Sequence, residues 1–207
     1  MSLETITRDS APQLPPPNGL VAHYLTTISH EATLADRTAL DVGCGEGRNS
    51  IALAERGFGA VLGVDADPQA IESANTFKLQ KGLGSEACRF VEMDALGIRD
   101  LEDEYSVVLS NEMLHTLPRN EQSELLREMQ ARTRRGGINI VSGYMLTPEV
   151  KAEKHKVTML HPGQLLRTYQ AAGWQPSLTR DIRRPVEFPG EAERVHSKSY
   201  LIARKPL

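Results

Sequence analysis

A short apolar run that ends in three closely spaced glycines constrains the fold of this chain more than any other feature. The run TALDV at residues 38–42 is followed directly by GCGEG at residues 43–47. The apolar run predicts a buried strand, and the glycines predict a tight turn where the backbone passes close to a ligand. Free amides at the start of a following helix attract ligand oxygens. The sequence therefore predicts a strand, a turn and a helix with a ligand site at the turn.

Strands and helices are then predicted to alternate along the chain. A second apolar run, residues 60–64, precedes Asp65, and Asp67 with Pro68 is typical of a helix start. Further strands are predicted over residues 88–93, 105–110 and 138–142. Parallel neighbours require long right-handed crossovers, so this order predicts an α/β fold with a doubly wound, mostly parallel sheet. The ligand crevice is expected at the carboxyl ends of the strands.

The two ends of the chain differ from this pattern. A proline cluster before residue 19 favours extended backbone, so residues 1–18 are predicted to form a flexible N-terminal arm. Residues 19–207 are predicted to form a single domain. Near the C-terminus, two extended runs at residues 176–182 and 197–203 are expected to pair antiparallel at the edge of the sheet.

Composition limits the classes of partner. The chain has 207 residues and a formal net charge of −3, which gives no overall field to attract nucleic acid. No apolar run approaches the length of a membrane-spanning helix, so no membrane contact is expected. Cys44 and Cys88 form neither a disulfide framework nor a metal-ligand spacing, which favours a cytoplasmic protein without a bound metal. Monomer and homodimer both remain open.

Two acids follow predicted strands at the expected crevice. Asp65 is placed where a carboxylate can accept both ribose hydroxyls of an adenosine, although it is also placed to cap the next helix. Asp94 is placed to accept from an adenine amino group, and its alternative is an ordinary turn aspartate. Dinucleotide-binding turns place glycine or alanine where this chain has Arg48 or Ser50, which disfavours a nicotinamide or flavin cofactor.

Taken in order, these motifs resemble those of class I S-adenosylmethionine (SAM)-dependent methyltransferases. The matching segments are residues 40–47, 63–66, 93–95, 105–117 and the glycine pair 136–137. The resemblance implies a seven-stranded, Rossmann-like sheet with one antiparallel strand near the C-terminus, and it implies SAM as cofactor with S-adenosylhomocysteine (SAH) as product. It also implies a set of cofactor-binding residues. Asp41 and the glycine turn, with Gly43, Cys44 and Gly45, would hold the methionyl end, Asp65 the ribose, and Asp94 with Ala95 the adenine. The backbone of Ser110 and Asn111 would line the sulfonium, and Asn49 and Ala66 complete the set.

A narrower resemblance is carried by residues 43–50 and by the closing run at residues 200–205. These segments are similar to those of the bacterial tellurite-resistance methyltransferases. That family implies methylation of small oxyanions or chalcogen compounds, with basic and histidine side chains near the acceptor on the last strands. Arg183 and Arg184 occupy a comparable stretch, with an arginine where a histidine is expected.

Candidate catalytic residues follow from the kind of acceptor. An amine, hydroxyl or thiol must lose a proton, and His115 after the fourth strand is placed to accept it, with packing or capping as its alternative. Tyr144 is placed at the rim of the crevice or at the edge of the core. An anionic acceptor could be held by Arg183 and Arg184, with His196 helping, unless these residues form a solvated strand edge.

The sequence therefore favours a SAM-dependent methyltransferase that acts on a small molecule, either a chalcogen oxyanion such as tellurite or selenite or a nitrogen, oxygen or sulfur atom of a metabolite. A nicotinamide-dependent oxidoreductase and a non-catalytic domain that binds SAM or SAH remain as alternatives. An RNA or protein methyltransferase is disfavoured by the acidic composition.

Overall fold

The computed structural model describes residues 13–31, 34–146, 158–186 and 194–207, apart from the side chains at 184–186 and 194–196. In the described part, seven strands form one sheet with five α-helices packed around it. The strands are β1 Thr38–Val42, β2 Ala60–Asp65, β3 Cys88–Glu92, β4 Tyr105–Asn111, β5 Thr133–Tyr144, β6 Gln175–Val186 and β7 Arg194–Arg204. The helices are α1 Gly19–Thr27, α2 Arg48–Glu55, α3 Pro68–Gln80, α4 Arg119–Ala131 and α5 Gln164–Ala171, with 3₁₀ helices at Ala95–Asp100 and Leu114–Thr116.

The strand order across the sheet is β3-β2-β1-β4-β5-β7-β6. The first five strands pair in parallel, and β7 lies antiparallel between β5 and β6. This arrangement confirms the predicted α/β class, the doubly wound sheet and the antiparallel strand near the C-terminus. Because β1 and β4 are neighbours whose chain connections leave in opposite directions, a crevice opens at their carboxyl ends.

Successive residues of the central strands pack into two apolar cores on opposite faces of the sheet. Val107 and Leu109 of β4 belong to one core, and Val108 belongs to the other. The second core includes Trp174, which packs edge-on against Tyr169 with ring centroids 5.2 Å apart. Burial on both faces is what a central parallel strand requires. The sheet therefore holds its carboxyl ends rigidly.

Three predicted boundaries differ from the structure. Strand β5 begins at Thr133 rather than near residue 138, because the backbone shifts register between Tyr105 and Val107 and accommodates the glycine pair inside the strand. Strands β6 and β7 are longer than predicted, since they pair with each other over almost their whole length. Residues 1–12 of the predicted arm lie outside the described residues, so the arm stays a prediction.

No helix within the described ranges is both long and apolar enough to cross a membrane. Among the same residues, no group of three or more histidine, cysteine, aspartate or glutamate side chains is arranged to hold a metal ion.

Candidate active site

The turn between β1 and α2 has a backbone that favours glycine. Gly43, Gly45 and Gly47 all have positive φ, at 71°, 53° and 83°. The amide of Gly43 donates to the Val64 carbonyl at 2.9 Å, which ties the turn to the end of β2. A Cβ placed on Gly43 would lie 2.5 Å from Met113 Cγ. Both the left-handed backbone and the close packing therefore require glycine at this position.

Asp65 organises the same turn from the end of β2. Its Oδ2 accepts from the Gly45 amide at 2.8 Å, and its Oδ1 accepts from the Asp67 amide at 3.0 Å. The cap of α3 is Asp67, whose side chain accepts from the Gln69 amide at 2.9 Å. Because Asp67 fills the capping position, Asp65 is left at the crevice with an oriented carboxylate. Each carboxylate oxygen still has capacity to accept another hydrogen bond.

Asp41 is a fully buried acid near the carboxyl end of β1. Its Oδ2 accepts from Ser50 Oγ at 2.6 Å, and its Oδ1 has no hydrogen-bond partner among the described residues. Burial raises the pKa of the Asp41 carboxyl to about 7. The hydrogen bond from Ser50 lowers this pKa, and the nearby charge of Asp65 adds to the increase. Asp41 is thus a buried carboxyl that a cationic ligand group would stabilise in its ionised form.

A cleft of about 250 Å³ opens over the turn, and we call it the glycine-turn cleft. Five predicted cofactor-binding residues line it: Gly43, Cys44, Gly45, Asn49 and Asn111. Pro15, Glu46 and Arg48 also line it, without having been predicted as site residues. Burial raises the pKa of the Cys44 thiol, so this cysteine is a packing residue and not a thiolate nucleophile.

The remaining predicted cofactor residues lie around this cleft at the ends of the strands. Asp94 is exposed after β3, and its Oδ1 accepts from the Leu96 amide at 2.9 Å. This is the turn geometry of the alternative interpretation, although Asp94 Oδ2 is left for another donor. Ala66 is exposed after β2, and Ala95 is partly exposed after Asp94. Ser110 is buried near the end of β4, with no hydrogen-bond partner for its Oγ among the described residues.

A second cleft, of about 590 Å³, lies between the start of α1, the end of β4 and the β6–β7 pair, and we call it the hairpin cleft. Its wall includes polar and charged side chains from distant parts of the chain: Asn18, His23, Glu112, Arg180 and Lys198. Leu178, Ile182 and Tyr200 supply apolar surface. A concave site of this size with a few convergent polar groups is typical of a small-molecule pocket.

Glu112 joins the two clefts. It has a φ of 59°, which is unusual for a residue with a side chain, and its amide donates to the Ser142 carbonyl at 2.9 Å. Its Oε1 accepts from Asn18 Nδ2 at 3.0 Å and from Lys198 Nζ at 2.7 Å. The Asn18 amide in turn donates to Asn49 Oδ1 at 2.8 Å. Asn49 lines the glycine-turn cleft, so these side chains form a wall that the two clefts share.

His115 and Tyr144 lie behind this wall. Both are half-buried, and their rings meet edge-on with centroids 4.6 Å apart. Lys198 Nζ lies 4.9 Å from the centre of the Tyr144 ring. Burial lowers the pKa of His115, with the nearby Glu112 charge opposing and the Lys198 charge reinforcing this effect. Neither ring is part of the lining of the two clefts.

Of the side chains predicted to bind an anion, Arg183 is the one that the structure describes, and it is not brought together with these groups. Arg183 is exposed and lies outside the lining of both clefts, because it alternates along β6 with Ile182, which does line the hairpin cleft. Arg184 and His196 pair across β6 and β7 through their backbones, and their side chains lie outside the described residues. The described arginine of the hairpin cleft is instead Arg180.

The comparison with known proteins finds a similar domain in the central part of the chain. Residues 39–137 match a family model described as a methyltransferase domain. Residues 39–137 therefore form a methyltransferase domain, as the resemblance to class I SAM-dependent methyltransferases predicted. The matched segment begins in β1 and ends in β5, so it contains the glycine turn, Asp65 and the end of β4.

Curated relatives of the methyltransferase domain include a probable SAM-dependent methyltransferase TehB of Haemophilus influenzae, which is 27% identical over 54% of this chain and 37% of its own length. Hemagglutinin 1 of Eikenella corrodens is 30% identical over 61% of this chain and 42% of its own length. The chain therefore spans about two fifths of the length of these relatives.

Solved structures share the fold of the methyltransferase domain. TehB from Haemophilus influenzae has a TM-score of 0.75 at 19% identity, over 89% of this chain and 62% of that chain. The magnesium protoporphyrin IX methyltransferase from Synechocystis, solved with bound SAM, has a TM-score of 0.67 at 18% identity, over 89% of this chain and 77% of that chain. SAM is the methyl donor of this family.

The described residues fit such a donor. Three buried polar atoms beside the turn have no hydrogen-bond partner among the described residues: Asp41 Oδ1, Ser110 Oγ and Asn111 Nδ2. Gly43 lines the cleft and has no side chain that would narrow it. Unpaired buried polar atoms are costly, so their grouping beside a cleft favours a polar ligand.

Sequence reasoning missed the residues of the shared wall and of the hairpin cleft. Asn18 was assigned to the arm, whereas it is buried and caps α1 by accepting from the Leu20 amide at 2.9 Å. Glu112 lies in the segment that resembles the family, but its left-handed backbone has no sequence signature. The pairing of Lys198 with Glu112 joins residues 86 positions apart, which no local pattern can reveal.

Proposed function

We propose that this protein transfers a methyl group from SAM to a small-molecule acceptor bound in the hairpin cleft. The observation that carries the proposal is the shared wall of Asn18, Asn49 and Glu112. This wall lies between the glycine-turn cleft and the hairpin cleft. Methyl transfer needs its two reactants side by side and shielded from water. Two adjacent clefts meet the first of these needs.

In this proposal the glycine-turn cleft holds the methionyl end of the donor. Asp41 balances its ammonium group, and the amides of the turn bind its carboxylate. Asp65 accepts from the ribose hydroxyls, and Asp94 Oδ2 accepts from the adenine amino group beside Ala95. Bound in this way, SAM supplies a methyl group on a positively charged sulfur. The protein's own task is to position the acceptor and to receive any proton that leaves.

The size of the hairpin cleft supports a small acceptor. A cleft of about 590 Å³ is within the range that drug-sized ligands occupy. The resemblance to tellurite-resistance methyltransferases keeps a chalcogen oxyanion among the candidates, and a metabolite nitrogen, oxygen or sulfur atom is the other. Two groups are candidate proton acceptors for the second class: His115, which burial favours in its neutral form, and Glu112.

The experiment measures binding and turnover separately. Calorimetry with SAH and with NAD distinguishes a methyltransferase, which binds SAH, from an oxidoreductase, which binds NAD. SAH release from SAM is then followed with selenite, tellurite and a panel of metabolites, and the headspace is tested for methylated selenium or tellurium. We expect SAH binding and acceptor-dependent SAH release. Binding without release from any acceptor would instead support the non-catalytic alternative.

A further inference from the structure

The hairpin cleft contains a carboxylate with one oxygen already engaged. The hydrogen bonds that described residues donate to the Glu112 side chain both go to Oε1, from Asn18 and Lys198. Its other oxygen, Oε2, remains to accept from a ligand. The Glu112 side chain is only 23% exposed and lines the cleft, and the preceding residue, Asn111, lines the glycine-turn cleft. Glu112 is therefore placed at the junction where donor and acceptor would meet.

The same cleft contains a cation without an internal partner. The charge of Lys198 is matched by Glu112, and the hydrogen bond and charge of Glu112 raise the pKa of Lys198 against the opposing effect of burial. Arg180 also lines the cleft and makes no ion pair with any residue that the structure describes. The described ionised side chains of the cleft thus leave one positive charge, which belongs to Arg180.

The register of β6 against β7 gives the distance between Arg180 and Lys198. Arg180 pairs with Tyr200, and Ile182 pairs with Lys198, so Arg180 and Lys198 are diagonal neighbours on one face of the sheet. Diagonal neighbours have side chains roughly 7–8 Å apart at their origins. Arg180 therefore lies within one small molecule's length of the Glu112–Lys198 pair.

We propose that the acceptor carries a protic nucleophile and a separate anionic group. Glu112 Oε2 accepts the proton of an amine, hydroxyl or thiol, and Arg180 binds a carboxylate or phosphate elsewhere on the same molecule. This inference rests on the methyl-transfer function proposed above and narrows its acceptor from two classes to one. Glu112 is chosen over His115 because it lines the cleft and His115 does not.

The proposed step is balanced in atoms and charge. A lone pair of the acceptor's nitrogen, oxygen or sulfur atom forms the bond to the methyl carbon, and the electron pair of the broken carbon–sulfur bond stays on sulfur. The proton of the acceptor passes to Glu112 Oε2 and then to water. A fully ionised inorganic oxyanion brings no proton to transfer and would meet the Glu112 carboxylate as a like charge.

The first test measures binding to the SAH-saturated protein and does not depend on turnover. Calorimetry compares benzoate, 4-hydroxybenzoate and 3-mercaptopropionate with the amide of each compound. We expect at least one anion to bind about tenfold more tightly than its amide, as one charge-assisted contact allows. Arg180→Gln should remove this difference. Arg127→Gln, which changes an exposed arginine on α4, should leave it intact. Two results would overturn the assignment of Arg180. One is that the anions bind no more tightly than their amides, and the other is that Arg180→Gln retains the full difference in affinity between anion and amide.

The second test addresses Glu112 with the variant Glu112→Gln. The glutamine keeps an oxygen for Asn18 and Lys198, and it removes the proton-accepting oxygen together with the negative charge. We expect kcat with the best acceptor to fall about 100-fold or more, with SAH affinity within about threefold of the wild type. Glu86→Gln, at an exposed site, is the matched control. An unchanged kcat would eliminate Glu112 as the proton acceptor, and faster SAH release with selenite than with any carboxylate would overturn the acceptor class.

The two proposals can fail separately. If calorimetry detects no SAH binding by the wild-type protein, the methyl-transfer function itself is refuted. Normal SAH binding with SAH release from neutral acceptors alone would leave that function in place and refute only the anionic, protic acceptor.

Discussion

The two clefts are built in different ways. The glycine-turn cleft is formed mostly by residues 43–49, with Asp65 tying the turn from the next strand. The hairpin cleft is assembled from α1, the end of β4 and the β6–β7 pair. In the first, backbone conformation makes the site, and in the second, side chains from distant segments make it. The first site is therefore sensitive to a side chain added at Gly43, where a Cβ would lie 2.5 Å from Met113 Cγ, whereas the second can change its ligand by changing side chains.

This difference suits the two reactants of the proposed methyl transfer. The glycine-turn cleft would hold SAM through backbone amides, which no substitution of a side chain removes. The hairpin cleft would hold the acceptor through side chains, which can be substituted without disturbing the sheet. The shared wall of Asn18, Asn49 and Glu112 links the clefts by hydrogen bonds, so a substitution in this wall should affect ligand binding in both clefts.

The largest expected effect is in the glycine-turn cleft. Gly43→Ala places a Cβ 2.5 Å from Met113 Cγ at a φ of 71°. Backbone strain and overpacking together should lower the free energy of unfolding by about 2–5 kcal/mol and abolish SAH binding. Urea unfolding and calorimetry measure the two effects. Gly84→Ala is the control, because a Cβ there meets nothing within 4 Å, and it should behave as wild type. Normal SAH binding by Gly43→Ala would contradict the role of Gly43 in this cleft.

The next effect concerns the buried acid of the glycine-turn cleft. The Asp41 pKa of about 7 exceeds the ordinary value of 3.8, so between these values the folded state holds a proton that the unfolded state has released. The free energy of unfolding should therefore fall as the pH rises from about 4 to 7, by up to roughly 4 kcal/mol relative to Asp41→Asn. Urea unfolding of both proteins at several pH values measures this difference. Parallel pH profiles would show that Asp41 titrates normally.

A smaller effect is expected at the end of β2. Asp65→Ala should weaken SAH binding about 100-fold, because a carboxylate that accepts two ribose hydroxyls contributes a few kcal/mol through charged hydrogen bonds. The loss of its bond from the Asp67 amide should lower the free energy of unfolding less, since that bond is exposed and water can replace it. Calorimetry with SAH and circular dichroism distinguish binding from folding. Unchanged SAH affinity would remove Asp65 from the ribose role.

The smallest effect tests the shared wall. Asn18→Ala removes a helix cap and the bond to Glu112, and Asp67→Ala removes a cap alone. Both should lower the free energy of unfolding by about 1 kcal/mol and the Tm by roughly 2–4 °C. Only Asn18→Ala should also raise the KM of the acceptor, by about threefold to tenfold, which steady-state kinetics measures. An equal KM for the acceptor in the two variants would show that Asn18 acts only as a helix cap.

Much of the fold could be predicted from the sequence because the patterns that indicate each element lie within a few neighbouring residues. The apolar run before Gly43, the acid after β2 and the Asp67-Pro68 helix start each lie within a few residues. The start of β5 could not be read, because its irregular pairing with β4 depends on the partner strand. The sequence also could not show which arginine lines the hairpin cleft. The register of β6 against β7 places Arg180 in the lining of this cleft and Arg183 outside it.

The sequence by itself determined the α/β class, the glycine turn and the two acids, Asp65 and Asp94, at the ends of neighbouring strands. These features follow from hydrophobic period and from the backbone freedom of glycine, which are properties of neighbouring residues. Only the tertiary structure decided that Asn18, Glu112 and Lys198 meet and that an unpaired Arg180 shares their cleft. Hydrogen bonds and charges act over a few ångströms in space, and the folded sheet alone sets which distant residues come within that range.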